Sequence, residues 1–279
     1  MKFTKMHGAG NDYIYFDCTG DFQISDPEAL SIRLSERHFG IGSDGIVMIL
    51  PSNVADFRMR IFNADGSEAK MCGNGTRCVG KYVHDKGLTD KTDFTLETLG
   101  GIKILHLEVE DGITKSVTVN MGKADFTAAN VPVITDRETI IKSPLVFNGK
   151  EEICTCLSVG NPHCVIFTNE VASLNLEAIG PCHENAPFFP ERINTEFVRV
   201  ISDTELEMRV WERGSGETLA CGTGTCASVA AAAEAGYVKK DEFVLVHLRG
   251  GDISVKYDSD GSLTMKGDAE FVFDGELYE

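Results

Sequence analysis

No apolar run in this 279-residue chain approaches the roughly 20 residues needed to cross a bilayer. The opening stretch Met1-Lys2-Phe3-Thr4-Lys5-Met6-His7-Gly8 also lacks the apolar centre of a signal peptide. A cytoplasmic protein with no membrane partner is therefore expected. Basic residues are scarce, 26 Lys and Arg against 43 Asp and Glu, for a net charge of −17. Nucleic-acid binders concentrate Lys and Arg on one face, so no nucleic-acid partner is expected either. Metal-ligand spacing is missing too. Cys154-x-Cys156, His163-Cys164 and Cys182-His183 do not supply the paired Cys-x-x-Cys or His-x(3–5)-His pattern of zinc sites. No metal is expected, and metal or redox sensing stays open as an alternative that metal analysis would decide.

With 42% hydrophobic and 25% charged residues and no biased tract, the chain has the composition of an ordinary globular protein, longer than one core usually requires. The dominant pattern is a repeat. Glu-x-x-x-Cys-Gly-x-Gly-Thr runs from Glu68 to Thr76 and again from Glu217 to Thr225, placing Cys72 and Cys221 149 residues apart. The match extends upstream, Met59-Arg60-Ile61-Phe62-Asn63 aligning with Met208-Arg209-Val210-Trp211-Glu212. Gly10-Asn11 before Ile14 to Phe16 likewise matches Gly160-Asn161 before Val165 to Phe167. The repeat predicts an α/β (α+β) fold of two pseudo-symmetric domains from internal duplication. Each is a mostly antiparallel sheet wrapped around a central helix, with an active site in the cleft between them. The expected division is residues 1–120 with a C-terminal strand at about 267–279, and residues 121–266.

Alternating or β-branched runs predict strands at Phe3 to Met6, Tyr13 to Asp17, Gly45 to Leu50, Phe57 to Asn63, Phe94 to Thr98, Gly101 to Val109 and Ser116 to Asn120. The second half repeats the plan at Ile153 to Val159, Cys164 to Phe167, Thr195 to Ile201 and Glu205 to Trp211. Further strands follow at Phe243 to Leu248, Ile253 to Tyr257, Leu263 to Lys266 and Phe271 to Phe273. Helices are predicted over Pro27 to Arg37, from within Gly73-Asn74-Gly75-Thr76 to the stop at Gly87, and over Thr225 to Ala235. The last is apolar all round, as a helix enclosed by strands would be.

The chemistry lies where the helices begin. A helix N-terminus carries unpaired N–H groups and about half a positive charge, which favours a nearby thiolate and can hold a carboxylate. Cys72 and Cys221 each sit at such an end, followed by glycines that allow a ligand close to the backbone. Nine cysteines, an odd number, are expected to stay reduced in a cytosol. Cys18, Cys154, Cys156, Cys164 and Cys182 read as small buried hydrophobes. One thiolate on each side of an amino acid would remove the α-proton from one face and return a proton to the other. Such an inversion needs no cofactor.

Six segments carry a resemblance. Met71-Cys72-Gly73-Asn74-Gly75-Thr76-Arg77, Ala220-Cys221-Gly222-Thr223-Gly224-Thr225, His7-Gly8-Ala9-Gly10-Asn11-Asp12, Asn63-Ala64-Asp65-Gly66-Ser67-Glu68, Gly160-Asn161-Pro162-His163 and Glu212-Arg213-Gly214-x-Gly216-Glu217-Thr218 are similar to those of the diaminopimelate epimerase family. The likeness covers essentially the whole chain. It implies two similar α/β domains and cofactor-free interconversion of LL- and meso-2,6-diaminopimelate in the lysine and peptidoglycan pathway, by an enzyme that is commonly a homodimer. It implies Cys72 and Cys221 as the catalytic bases, and Gly73, Asn74, Gly222 and Thr223 as the carboxylate cradle at the reacting centre. Asn11, Asn63, Asn161, Asn194, Glu212 and Arg213 would bind the rest of the substrate, with His163 and Glu212 tuning the cysteines. One departure stands out. After Gly42-Ser43-Asp44 many members have a glutamine that touches substrate, whereas this chain has Gly45, which is left out of the expected site.

Two further alternatives remain at this level. Related enzymes act on proline, hydroxyproline or histidine, although the Glu212-Arg213 pair suits a second amino-acid-like end that proline lacks. A nucleotide-dependent oxidoreductase is the other, because Gly222-x-Gly224-x-x-Ala227 opens a helix. It leaves the duplicated cysteine unexplained. Gly40-x-Gly42-x-x-Gly45 precedes a strand-like run and reads as an accidental match.

Overall fold

The computed structural model describes residues 1–278. The chain divides into two compact units, Met1–Val119 with Lys266–Glu279, and Asn120–Met265. The expected returning segment 267–279 ends on Glu279, which lies outside the described residues.

In unit 1, strands β1 (Lys2–Gly8), β2 (Asn11–Asp17), β3 (Gly45–Leu50), β4 (Phe57–Asn63), β5 (Glu68–Ala69), β6 (Asp93–Thr98) and β7 (Gly101–Glu110) lead into β8 (Ile113–Lys123). Most neighbours pair antiparallel. The exceptions are β2 beside β3, in register Tyr13↔Gly45, and β4 beside β6. The returning strand Glu270–Glu276 pairs antiparallel with β1. Helix α1 (Pro27–Ser35) is capped by Asp26, whose carboxylate accepts from the Ala29 N–H at 3.0 Å. It stops two residues short of Arg37, because Glu36 turns to an extended ψ of 120°. Helix α2 (Gly73–Asp85) is buried from Gly73 through Val83 and packs on β1, β2 and β7.

Unit 2 repeats the order. Strands β9 (Ile140–Phe147), β10 (Lys150–Ser158), β11 (Pro162–Phe167), β12 (Asn194–Val200), β13 (Glu205–Glu212), β14 (Gly216–Thr218), β15 (Phe243–Leu248), β16 (Gly251–Tyr257) and β17 (Ser262–Gly267) carry helices α3 (Leu176–Glu184) and α4 (Gly222–Glu234). Its parallel pairs, β11 with β12 in register His163↔Asn194 and β13 with β15, correspond to those of unit 1. Helix α4 packs on β10, β11, β12, β13 and β16, as its apolar surface requires. The predicted fold class is therefore the observed one, a mixed α/β chain with each half built as sheet around helix.

Other elements differ from expectation as well. Helix α4 begins at Gly222 rather than Thr225, because Cys221 itself is the cap. Strand β9 carries Pro144 and so lacks a ladder donor, yet it pairs antiparallel with β10. Helix α3 is only nine residues long with Pro181 inside it. What holds α3 is Trp211. The indole donates to Glu184 Oε2 at 2.8 Å, and Gly180 lies so close that an added Cβ would sit 2.1 Å from the ring.

Candidate functional site

Both motif cysteines are helix caps. Cys72 Sγ accepts from the Gly75 N–H at 3.4 Å, and Cys221 Sγ from the Gly224 N–H at 3.3 Å. The glutamate that opens each motif serves as an anchor. Glu68 takes a bidentate pair from Arg60 (2.7 and 3.0 Å) and Glu217 the same from Arg209 (2.8 and 3.0 Å). Each anchor ties the short strand before the thiol to the long strand beside it.

In unit 1, Cys72 Sγ lies 3.3 Å from Asn11 Oδ1, and the Asn11 amide donates to Asp44 Oδ2 at 2.7 Å. Burial pushes the Asp44 carboxyl up, aided by the charge of Asp12 and opposed by the Asp12 N–H and the Asn11 amide. Asn74 is buried in the first turn of α2, its Oδ1 accepting from Arg77 Nη1 at 3.0 Å. Arg77 is wholly buried and donates from Nε to the Asp268 carbonyl at 3.1 Å. Burial lowers its pKa, against the opposing pull of Cys78 and Cys72. Asn63 ends β4 with its amide donating to Ser67 Oγ at 3.0 Å.

In unit 2 a continuous chain of polar contacts reaches the thiol. Glu196 Oε1 lies 2.7 Å from His163 Nδ1, and both side chains are fully buried. His163 Nε2 lies 3.0 Å from Asn161 Oδ1, Asn161 Nδ2 donates to Thr223 Oγ1 at 3.2 Å, and Thr223 Oγ1 is 3.5 Å from Cys221 Sγ. An amide oxygen only accepts, so the imidazole presents an N–H on Nε2. Glu212, at the end of β13, accepts from Thr218 Oγ1 at 2.5 Å. Burial pushes its carboxyl up, opposed by Thr218, the nearby His163 and the Cys221 thiol.

The helix terminus alone does not decide the state of Cys221. Burial pushes this thiol well above the ordinary range, and the charges of Glu212 and Glu196 push it further, only partly offset by Thr223 and the Gly224 N–H. Desolvation and the two carboxylates thus work against the thiolate that a helix N-terminus favours.

The structure gathers Asn11, Cys72, Gly73 and Asn74 in unit 1, and Asn161, His163, Glu212, Cys221, Gly222 and Thr223 in unit 2. Asn194 opens β12 beside them. It is buried, with Nδ2 donating to the Pro162 carbonyl at 2.9 Å and Oδ1 accepting from the Arg213 N–H at 3.0 Å, so it braces the turn. Arg213 Nη1 reaches the Glu191 carbonyl at 3.1 Å. Sequence reasoning missed Glu196 and Thr218. A signal existed for Glu196, a charged residue inside an apolar strand at the position where the first half has Val47. Gly45 opens β3 with φ of +155°, and an added Cβ would stand 2.0 Å from the Phe62 carbonyl oxygen. No side chain fits there.

Fold and site together define a duplicated α/β protein with a thiol-capped helix in each half. Comparison with known proteins narrows this. The family model for diaminopimelate epimerase matches residues 3–127 and 155–272. A diaminopimelate epimerase of Agathobacter rectalis is 52% identical over 285 residues, covering 99% of this chain and 99% of that protein. One from Acetivibrio thermocellus is 51% identical, covering 99% and 98%. Among solved structures, a hydroxyproline epimerase from Agrobacterium vitis with bound trans-4-hydroxy-L-proline has a TM-score of 0.71 at 17% identity, over 99% of this chain and 91% of that one. A phenazine biosynthesis protein of Bacillus anthracis also gives 0.71 at 17% identity, over 100% and 99%. At that identity the two structures share the fold. The chain belongs to the diaminopimelate epimerase family.

Proposed function

We propose that this protein is an isomerase that converts LL-2,6-diaminopimelate to the meso form, a step toward lysine and peptidoglycan. The observation that carries the reading is the pair of thiol-capped helix termini in a member of this family. Inversion at an α-carbon requires proton removal from one face and delivery to the other. Cys72 and Cys221 supply the two groups, one as thiolate and one as thiol, exchanging states with each turnover. The N–H groups at Gly73-Asn74 and Gly222-Thr223 hold the carboxylate whose charge grows as the carbanion forms. Asn11, Asn63, Asn161, Glu212 and Arg213 bind the remaining polar groups, with Arg213 suited to the distal carboxylate and Glu212 to an ammonium. Asn194 belongs to the same substrate-binding set, and its Oδ1 also fixes the backbone of Arg213.

In this reading the enzyme works in the cytoplasm on a small-molecule substrate, as a homodimer. Among the described residues, no helix is long and apolar enough to cross a membrane. The deciding assay incubates LL-diaminopimelate in D2O with wild type, Cys72→Ser and Cys221→Ser. Inversion with deuterium uptake in wild type is expected, with a loss of at least about 100-fold in each variant, the usual scale for a general acid or base. Diaminopimelate left unchanged by wild type would refute the substrate, and the same assay on proline, hydroxyproline and histidine would then test the amino acids of the related enzymes. Full activity in either serine variant would refute its role.

A further inference from the structure

The two thiols sit at matched helix termini, but the ground beneath them is not matched. In unit 2 the parallel pair β11 and β12 places His163 and Glu196 side by side, fully buried. In unit 1 the corresponding positions of β2 and β3 hold Tyr13 and Val47, which the repeat aligns with His163 and Glu196 and which occupy the same register. Val47 is also fully buried, so one half keeps a carboxylate where the other keeps a methyl pair.

That carboxylate reaches the helix terminus. A Cβ added at Gly224 would lie 2.7 Å from Glu196 Oε1 and 3.3 Å from Cys221 Sγ, so acid and thiol flank the same small space at the first turn of α4. At the equivalent Gly75 the nearest atoms are Cys72 Cβ and Ile61 Cδ1, both at 3.6 Å, with no acid among them. The second oxygen of Glu196 is buried without a hydrogen-bond partner, an expensive arrangement that packing alone does not call for.

We propose that Glu196 is a positioning residue for Cys221. Its carboxylate, paired with His163, takes the place at the α4 terminus that a thiolate would otherwise fill, and thereby keeps Cys221 as the protonated member of the pair. This rests on the reading of Cys221 as one of the two proton-transfer groups, and it names what sets that group's resting state. The groups facing Cys221 are Glu212 with Thr218 from β13 and β14, Glu196 from β12, His163 and Asn161 from β11 and the residue before it, and Thr223 and the Gly224 N–H from α4. Burial raises the thiol and the two acids reinforce it, in agreement with the geometry. Through Nε2, His163 orients Asn161 and so aims the Thr223 hydroxyl at the sulfur. When substrate arrives, that hydroxyl is positioned to stabilise the thiolate left after proton delivery.

The test measures alkylation of Cys221 by iodoacetamide against pH, quantified on the Cys221 peptide by mass spectrometry, in wild type and Glu196→Gln without substrate. Wild type should react only at alkaline pH. The Gln variant should shift its midpoint down by about one pH unit, roughly a tenfold faster reaction at pH 7. Glu196→Asp, which keeps the charge, should stay alkaline, and Glu196→Met, with similar bulk and no charge, provides the same comparison if the Gln variant does not fold. A midpoint unmoved or raised in the uncharged variant overturns the proposal, as does wild-type Cys221 reacting fully at pH 7. No substrate enters this measurement, so a wrong substrate assignment would not alter what it shows about Glu196.

Discussion

Replacing Gly75 and Gly224 by alanine, separately, tests the asymmetry through stability alone. Both glycines occupy the third position of a buried helix behind a capping thiol, so the intrinsic gain from Gly to Ala is the same, about 0.5–1 kcal/mol. The surroundings differ. At Gly75 the new methyl meets carbon at 3.6 Å and sulfur at 3.7 Å, ordinary contact distances, and the gain should be kept. At Gly224 it meets a carboxylate oxygen at 2.7 Å, in a buried pair with His163 that cannot swing aside freely. Overpacking of this kind costs about 1–3 kcal/mol. The two variants should therefore differ by about that amount, with Gly75→Ala at or above wild type and Gly224→Ala at or below it. For a chain of this size each kcal/mol moves Tm by about 2–4 °C, so scanning calorimetry should separate them by several degrees. Equal melting temperatures, or a more stable Gly224→Ala, would refute the placement of Glu196 under α4.

Two further outcomes follow from the same geometry. Gly45→Gln, which would supply the glutamine common in the family, should lower stability by roughly 3 kcal/mol or more, since its Cβ would overlap the Phe62 carbonyl. Near wild-type melting of that variant would show that β3 can move, against so close an approach. Glu212→Gln should lose activity yet be more stable than wild type at pH 7. The folded state raises this carboxyl above its unfolded value, so stability present below the ordinary pKa of about 4.3 is lost as pH rises through the folded pKa. The variant's advantage should shrink toward pH 4, and an advantage independent of pH would refute that origin.

The repeated motif, the helices it opens and the strands beside it were legible in the sequence because each has a local cause. Glycines after a cysteine start a helix, alternating apolar residues make a strand, and an Ala-rich run can be enclosed. Helix α3 was not legible, because its stability comes from the seat of Gly180 on Trp211 and from Glu184, which takes hydrogen bonds from Trp211, Gly214 and Arg192. Glu196 was legible only as a charged residue inside an apolar strand, and its role was not, for a related reason. A glutamate in a strand usually faces water, and its burial shows only once β11 brings His163 beside it. The elevated state of Cys221 likewise depends on enclosure from several strands, which motif spacing does not report. The two backbone partners of Asn194, the Pro162 carbonyl and the Arg213 N–H, were not legible either, because they depend on how β12 meets the neighbouring turns.

The Arg–Glu anchor found in both halves makes each strand, turn, thiol and helix a self-contained cassette. Two separate identical subunits carrying one such cassette each would change together, because a single gene would write both. Once the copies are fused into one chain, a substitution can be accepted beside one sulfur while the other is left alone. His163 with Glu196 opposite Tyr13 with Val47 is the mark of that freedom. Covalent linkage lets the two halves of a duplicated chain diverge independently.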